Sequence, residues 1–117
     1  MSMLKGKSTG VAVITPFTNS GVVDYGALTR IIDFLIDAGI DFLVALGTTG
    51  ESITLTPDEK KEVFATFVRQ TGGRVPLVMG LGGNNTAALV HEFQHIDVKG
   101  FDAILSVTPY YLSLIHI

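Results

Sequence analysis

The sequence has 117 residues and no cysteine, and its eight Lys and Arg residues against eleven Asp and Glu residues give a formal net charge of −3. Without cysteine there are no disulfide scaffolds, thiolate zinc sites or cysteine nucleophiles, and the acidic balance argues against nucleic acid or an anionic membrane as partner. With 47% hydrophobic and 16% charged residues, the composition predicts one folded domain. No secretory signal or membrane-spanning run is recognisable, so we expect a cytoplasmic protein.

The first strand and the first helix are predicted from two different spacings of apolar residues. Residues 11–14 form a short apolar run, which is typical of a strand buried on both faces of a sheet. Between positions 28 and 36, apolar residues recur at intervals of three and four, while Asp33 and Asp37 fall outside that stripe. This spacing predicts an amphipathic helix that ends at Gly39.

The second strand and helix carry a full set of boundary signals. An apolar run at residues 42–46 predicts the strand. A capping box then begins at Thr56, with proline at the first helical position and glutamate three residues after the cap, and Gly72 marks the far end. The predicted helix covers residues 56–71.

The third predicted helix lies between the last two strands. Residues 75–79 predict the third strand and residues 103–107 the fourth. The helix between them is expected at about residues 85–98, with Gly100 as its end signal. Its buried side chains, taken from their spacing, are Leu89, Phe93 and Ile96.

This alternation of strands and helices predicts an α/β fold with a parallel sheet, because each crossover helix returns the chain in the same direction. We expect the strand order 1-2-3-4 with the helices on one face. An open doubly wound sheet and a (β/α)8 barrel both fit, and in both the chemistry collects in loops at the carboxyl ends of the strands. Those loops are residues 15–17, 47–52, 80–85 and 108–111.

One metalloprotease pattern is matched at residues 91–95, which read H-E-F-Q-H. At about 100° per residue, His91 and His95 fall opposite the predicted buried face. A catalytic zinc also needs a third protein ligand, for which the remaining sequence offers little. We therefore interpret the motif as a solvated helix face and predict no metal, with a zinc hydrolase as an alternative.

Residues 80–85 read G-L-G-G-N-N and stand between a strand and a helix, as phosphate-binding turns do. Position 85 lacks the third glycine of the dinucleotide pattern, and no P-loop lysine follows. We predict a tight turn in which Asn84 or Asn85 caps the helix, and no cofactor.

Three loop motifs occur in this chain: V-I-T-P-F at residues 13–17, G-T-T-G-E-S at residues 47–52 and V-T-P-Y-Y at residues 107–111. Their order and spacing resemble those of the dihydrodipicolinate synthase family. The resemblance covers residues 10–111. The related N-acetylneuraminate lyases usually have Ser-Thr in place of Thr48-Thr49, so the synthase is favoured and an N-acetylneuraminate lyase-like aldolase is the alternative.

The resemblance implies that residues 1–111 form the first half of a (β/α)8 TIM barrel, with strands 1 to 4 and helices 1 to 3. It implies a lyase that condenses pyruvate with aspartate semialdehyde to give 4-hydroxy-tetrahydrodipicolinate, with the pyruvate held as a Schiff base on a lysine. This reaction belongs to lysine and diaminopimelate biosynthesis, and the enzymes of the family are usually homotetramers. By position, Thr48 matches the proton-relay threonine, Thr49 the pyruvate-carboxylate contact, and Tyr111 the relay tyrosine that reaches the neighbouring subunit's site.

The sequence also departs from the family. A barrel of this kind needs roughly 250 residues, and the family's Schiff-base lysine and second relay tyrosine lie on its sixth and fifth strands. The five lysines of this chain match neither role, and residues 112–117, L-S-L-I-H-I, resemble no family segment and are expected to be an artefact. We expect a truncated synthase that is inactive alone, with a non-catalytic half-barrel that associates with other chains as an alternative.

Some relatives are inhibited by lysine at a site between subunits. Ser52, Asn84 and Tyr110 match that site, whereas Lys60 and Ala88 replace a histidine and a glutamate. Strong lysine inhibition is not expected, because the acidic partner for a bound ammonium is missing.

Overall fold

The computed structural model describes residues 7–111, and the predicted tail at residues 112–117 lies outside this range. Strands and helices alternate throughout, as predicted. In chain order the elements are β1 (Gly10–Ala12), α1 (Tyr25–Asp37), β2 (Phe42–Ala45), α2 (Pro57–Thr71), β3 (Leu77–Gly80), α3 (Thr86–His95) and β4 (Ala103–Leu105). No helix within residues 7–111 is long and apolar enough to cross a membrane.

The four strands form one parallel sheet in the order β1-β2-β3-β4. In register, Val11 is opposite Leu43, and Leu43 is opposite Leu77. The predicted order is confirmed. Because a doubly wound sheet reverses its strand order at a switch point, this uninterrupted order is that of an arc of a barrel.

The core lies between one face of this sheet and the helices α1 and α2. Alternate strand residues point to the same face, and here Leu43, Ala45, Leu77 and Met79 share one cluster with buried residues of both helices. The buried helix residues are Leu28, Ile32, Val63, Phe64 and Phe67. Both helices therefore cover the same face of the sheet, as predicted.

The ends of α1 and α2 follow the sequence signals. Asp24 caps α1 by accepting a hydrogen bond from the Ala27 N–H at 2.9 Å. At α2, the Glu59 N–H donates to Thr56 Oγ1 at 3.2 Å, and the Thr56 N–H donates to Glu59 Oε1 at 2.9 Å. The capping box is thus formed in both directions.

The third helix differs from its prediction. It ends at His95 rather than near residue 98, and Phe93 is 45% exposed while Leu89 and Ile96 are only half-buried. The helix ends early because Ile96 is extended and the Asp97 carboxylate accepts a hydrogen bond from the Lys99 N–H, a local turn that competes with the helix.

The low burial of α3 follows from its position at the end of the helix layer. Lys60 of α2 forms an ion pair with Glu92 at 3.4 Å on one side. Within residues 7–111, no further helix follows α3 to cover its other side. The prediction that Leu89, Phe93 and Ile96 are the buried side chains of α3 is therefore wrong for the described residues, in which α3 has no fully buried residue.

A polar contact joins α1 to the end of α2. The Asp33 carboxylate accepts hydrogen bonds from Gln70 Nε2 at 2.7 Å and from Arg74 Nη2 at 2.5 Å. The bond from Gln70, and next that from Arg74, hold the pKa of Asp33 below its ordinary value of 3.8.

This contact predicts a small acid-dependent part of the stability. A lowered folded-state pKa contributes stability above the ordinary pKa, and the contribution disappears as the pH falls through the lower folded value. The unfolding free energies of the chain and of Asp33→Asn, measured in urea, should therefore differ at about pH 6, and the difference should shrink as the pH falls below 3.8. If the unfolding free energies of the two proteins differed by the same amount at neutral and at acidic pH, this contact would be contradicted.

Candidate active site

A half-open cleft of about 780 Å³ lies where the strands β2, β3 and β4 end. It is the edge at which parallel α/β folds place their chemistry. Three chain segments line it: residues 46–48 and 51–54, residues 80–82, and residues 105–107 with 110 and 111. The predicted relay residues Thr48 and Tyr111 both line this cleft.

The G-T-T-G-E-S motif forms a tight turn on one wall of the cleft. Thr48–Gly50 is a short 3₁₀ helix, in which the Gly50 N–H donates to the Gly47 carbonyl at 2.9 Å and the Glu51 N–H donates to the Thr48 carbonyl at 3.0 Å. Thr49 is exposed on this turn but does not line the cleft. The turn thus presents Thr48 directly, with Thr49 beside it.

Thr15 fastens this turn to the end of β1. Its side chain is only 4% exposed, and its hydroxyl donates to the Gly50 carbonyl at 2.6 Å, across 35 positions of sequence. A side chain at Gly50 would crowd the Val13 carbonyl and Thr15 Oγ1. Thr15, in the predicted loop at residues 15–17, therefore anchors the Thr48–Gly50 turn.

Replacing Thr15 by valine keeps the volume of the side chain but leaves the buried Gly50 carbonyl without its donor. We expect a loss of about 1–3 kcal/mol of stability and faster amide hydrogen exchange at residues 49–51, with recovery in Thr15→Ser. Exchange in α1 serves as the internal control. Unchanged exchange in the turn would show that other contacts hold it.

The backbone is strained at this same cleft. Leu46, Glu51 and Tyr111 adopt positive φ angles of 53°, 55° and 59°, and no other non-glycine residue among residues 7–111 does so. Next to them, a side chain at Gly80 would overlap the Leu46 carbonyl, so glycine is required where β3 ends. Such strain accumulates at functional sites, and all four residues line the cleft.

The fourth strand leads to the tyrosine pair. The Tyr110 N–H donates to Asn84 Oδ1 at 2.7 Å, and the two tyrosine rings meet edge to face at 5.9 Å. Asn85 caps α3 through the Ala88 N–H, as predicted for the glycine-rich turn. Tyr111 is 99% exposed, so its side chain is hardly covered by the rest of the described residues.

Comparison with known proteins agrees with this geometry. Residues 5–115 match the profile of the Dihydrodipicolinate synthetase family. The chain belongs to this family. It is 53% identical over 103 residues to a 4-hydroxy-tetrahydrodipicolinate synthase of Flavobacterium psychrophilum, which covers 88% of this chain and 35% of that protein. The corresponding enzyme of Parabacteroides distasonis is 46% identical over 111 residues, or 95% of this chain and 37% of the relative.

Solved structures of the family superpose on the described fold. The dihydrodipicolinate synthase of Aquifex aeolicus gives a TM-score of 0.81 at 43% identity and covers 91% of this chain and 36% of its own. A chloride-inhibited dihydrodipicolinate synthase from Acinetobacter baumannii complexed with pyruvate gives 0.83 at 36% identity, covering 89% and 36%. The chain thus spans about a third of the length of the family members it matches, and its sheet is a half-barrel.

The ionisable groups that line the cleft, as far as residues 7–111 show them, do not include an amine. Among residues 7–111, no lysine lines the cleft, and Glu51 is the only carboxylate that does. Lys60 is paired with Glu92, and Lys61 and Lys99 lie at a separate groove. None of these three lysines lines the cleft beside Thr48.

The histidine motif lies on α3, away from the cleft. His91 and His95 are both exposed, as predicted, and their rings stack with centroids 4.2 Å apart. Glu92 is engaged with Lys60. Within the described part of the chain, no three His, Cys, Asp or Glu side chains are grouped closely enough to hold a metal ion.

Proposed function

We propose that this chain carries part of the active site of a 4-hydroxy-tetrahydrodipicolinate synthase, which condenses pyruvate with aspartate semialdehyde. The observation that carries the proposal is the convergence of Thr48 and Tyr111 on one cleft at the carboxyl ends of the strands. The family membership and the names of the curated relatives support the same activity.

In this proposal, the Thr48–Gly50 turn holds the pyruvate carboxylate. Hydroxyl and backbone N–H donors suit a carboxylate, and Thr49 stands exposed on the turn next to Thr48. Thr15 positions the turn through the Gly50 carbonyl. Holding the carboxylate fixes where the ketone carbon of pyruvate lies relative to the rest of the cleft.

The proposed chemistry is a Schiff-base condensation. A lysine amine attacks the ketone carbon of pyruvate and water leaves, and the enamine formed on loss of a methyl proton attacks the aldehyde carbon of aspartate semialdehyde, whose oxygen takes up a proton. The amino group of the semialdehyde then bonds to the imine carbon, which closes the ring and releases the lysine amine. Thr48 and Tyr111 relay protons through their hydroxyls without adding charge to the cleft. In this proposal the lysine is none of those among residues 7–111, because none of them lines the cleft.

The missing amine makes the 117-residue chain inactive by itself in this proposal. Treatment with pyruvate and borohydride is therefore expected to leave its lysines unmodified, because none of those described lines the cleft. The measurement is the intact mass, followed by peptide mapping. A specific pyruvyl adduct on one lysine, accompanied by turnover, would contradict this expectation.

The proposal includes a homo-oligomer, a homotetramer in the full-length enzyme. It is supported by the full exposure of the Tyr111 side chain at the rim of the cleft, which suits a contribution to a neighbouring subunit. It also includes a cytoplasmic location for a relative of the proteins named 4-hydroxy-tetrahydrodipicolinate synthase.

The proposal is tested by grafting residues 7–111 into the Flavobacterium psychrophilum synthase in place of the matching segment. We expect the chimera to condense pyruvate with aspartate semialdehyde and not to cleave N-acetylneuraminate. Cleavage of N-acetylneuraminate alone would favour the aldolase alternative. A folded, tetrameric chimera with neither activity would favour a non-catalytic half-barrel.

A further inference from the structure

A second groove, of about 450 Å³, lies between α2 and the segment that joins α3 to β4. It shares no lining residue with the cleft. On α2 it is lined by Lys61, Phe64, Ala65, Val68 and Arg69, which recur at intervals of three and four residues, so that one face of the helix forms its wall. The segment leading into β4 supplies the opposite wall, with His95, Ile96, Asp97, Lys99 and Phe101.

The groove has a concentration of positive charge that the rest of this acidic chain does not share. Residues 7–111 contain seven Lys and Arg side chains, of which Lys60 and Arg74 are in ion pairs. Three of the other five line this groove and make no ion pair within the described residues: Lys61, Arg69 and Lys99. Asp97 is the only carboxylate at the groove, and its Oδ1 already accepts the Lys99 N–H.

The base of the groove is apolar and rigidly packed. Phe64 and Phe101 meet edge to face with centroids 5.4 Å apart, and Val68 packs against the backbone at Gly100 so closely that a side chain there would clash. Phe64 belongs to the buried core, with Val68 and Phe101 packed against it. The groove is therefore built on the core, while its three cationic side chains are exposed.

We propose that this groove binds an organic anion that combines an aromatic body with a phosphate or carboxylate group. Phe101 is half-buried at the base of the groove and meets a flat apolar body, while Phe64 beneath it is buried in the core. Lys61, Arg69 and Lys99 supply charge-assisted hydrogen bonds to the anionic group. Since the α3–β4 segment enters β4 at its start, this wall of the groove lies at the opposite end of the strands from the cleft, and the other wall runs along α2. Occupancy is independent of the reaction proposed above.

The test uses phenyl phosphate as the probe, with inorganic phosphate and phenol as its two halves, and calorimetric titration of the 117-residue chain. We expect saturable binding of phenyl phosphate, at least about tenfold tighter than either half. Hydrogen-exchange mass spectrometry should show protection in residues 61–69 of α2 and in residues 96–101. Protection of residues 47–54 instead would assign the probe to the cleft and overturn the proposal.

A matched pair of variants isolates the charges of the groove. Arg69→Gln/Lys99→Gln removes one Arg and one Lys from the groove, and Arg30→Gln/Lys7→Gln removes the same two residue types elsewhere. We expect the first pair to weaken phenyl phosphate binding about tenfold or more and the second to leave it within about twofold. If both pairs weakened phenyl phosphate binding equally, the chain would attract anions in general and not at this groove. If the unmodified chain showed no saturable binding, the proposed site would be refuted.

Discussion

A valine in place of Thr48 is expected to lower the kcat of the grafted synthase chimera by about 10² to 10⁴ fold, the usual contribution of positioned proton transfer. Valine keeps the size of the side chain and removes only the hydroxyl. KM for pyruvate should change less than kcat, because the backbone N–H groups of the Thr48–Gly50 turn remain. The measurement is steady-state kinetics with aspartate semialdehyde as the second substrate.

Two variants control this result. Thr48→Ser restores a hydroxyl at the same atom and should recover most of the rate, whereas Thr86→Val removes a hydroxyl from the exposed first residue of α3 and should leave kcat unchanged. If Thr48→Val and Thr86→Val behaved alike, Thr48 would have no part in proton transfer.

Truncation of Phe67 is expected to have the largest effect on stability. Phe67 of α2 is 1% exposed in the cluster between the helices and the sheet, and removing a buried phenyl ring costs about 3–5 kcal/mol through lost burial and the cavity left behind. Domains of this kind are stable by only about 5–15 kcal/mol. Phe67→Ala should therefore leave the chain close to unfolding in urea titrations.

Phe34→Ala is the matched control, because Phe34 lies on α1 and is 70% exposed. Its removal should change the unfolding free energy by no more than about 0.5 kcal/mol. Similar losses for the two variants would contradict the position of the core between the helices and the sheet.

The elements that the sequence predicted well are those with local signals. The capping box at Thr56 and Glu59 lies within four consecutive residues, and the apolar spacing of α1 is set by the period of the helix itself. The parallel order of the strands followed from the lengths between them. None of these inferences needed knowledge of a distant contact.

What the sequence could not predict depends on contacts between distant segments. The hydrogen bond from Thr15 to Gly50 joins residues 35 positions apart, and the positive φ of Leu46 has no sequence signal because leucine rarely adopts it. The exposure of Phe93 depends on which helix covers α3. The second groove lies between α2 and a segment about thirty residues later in the sequence. The sequence indicates it only through the spacing of the groove residues on α2, which places them on one face of the helix.

The proposed role of the cleft is tested most directly by the crystal structure of the grafted chimera after pyruvate has been trapped with borohydride. We predict a reduced adduct on the lysine of the host enzyme, with the pyruvate carboxylate within about 3 Å of donors on the Thr48–Gly50 turn. A trapped adduct whose carboxylate contacts other residues and leaves this turn unoccupied would contradict the account.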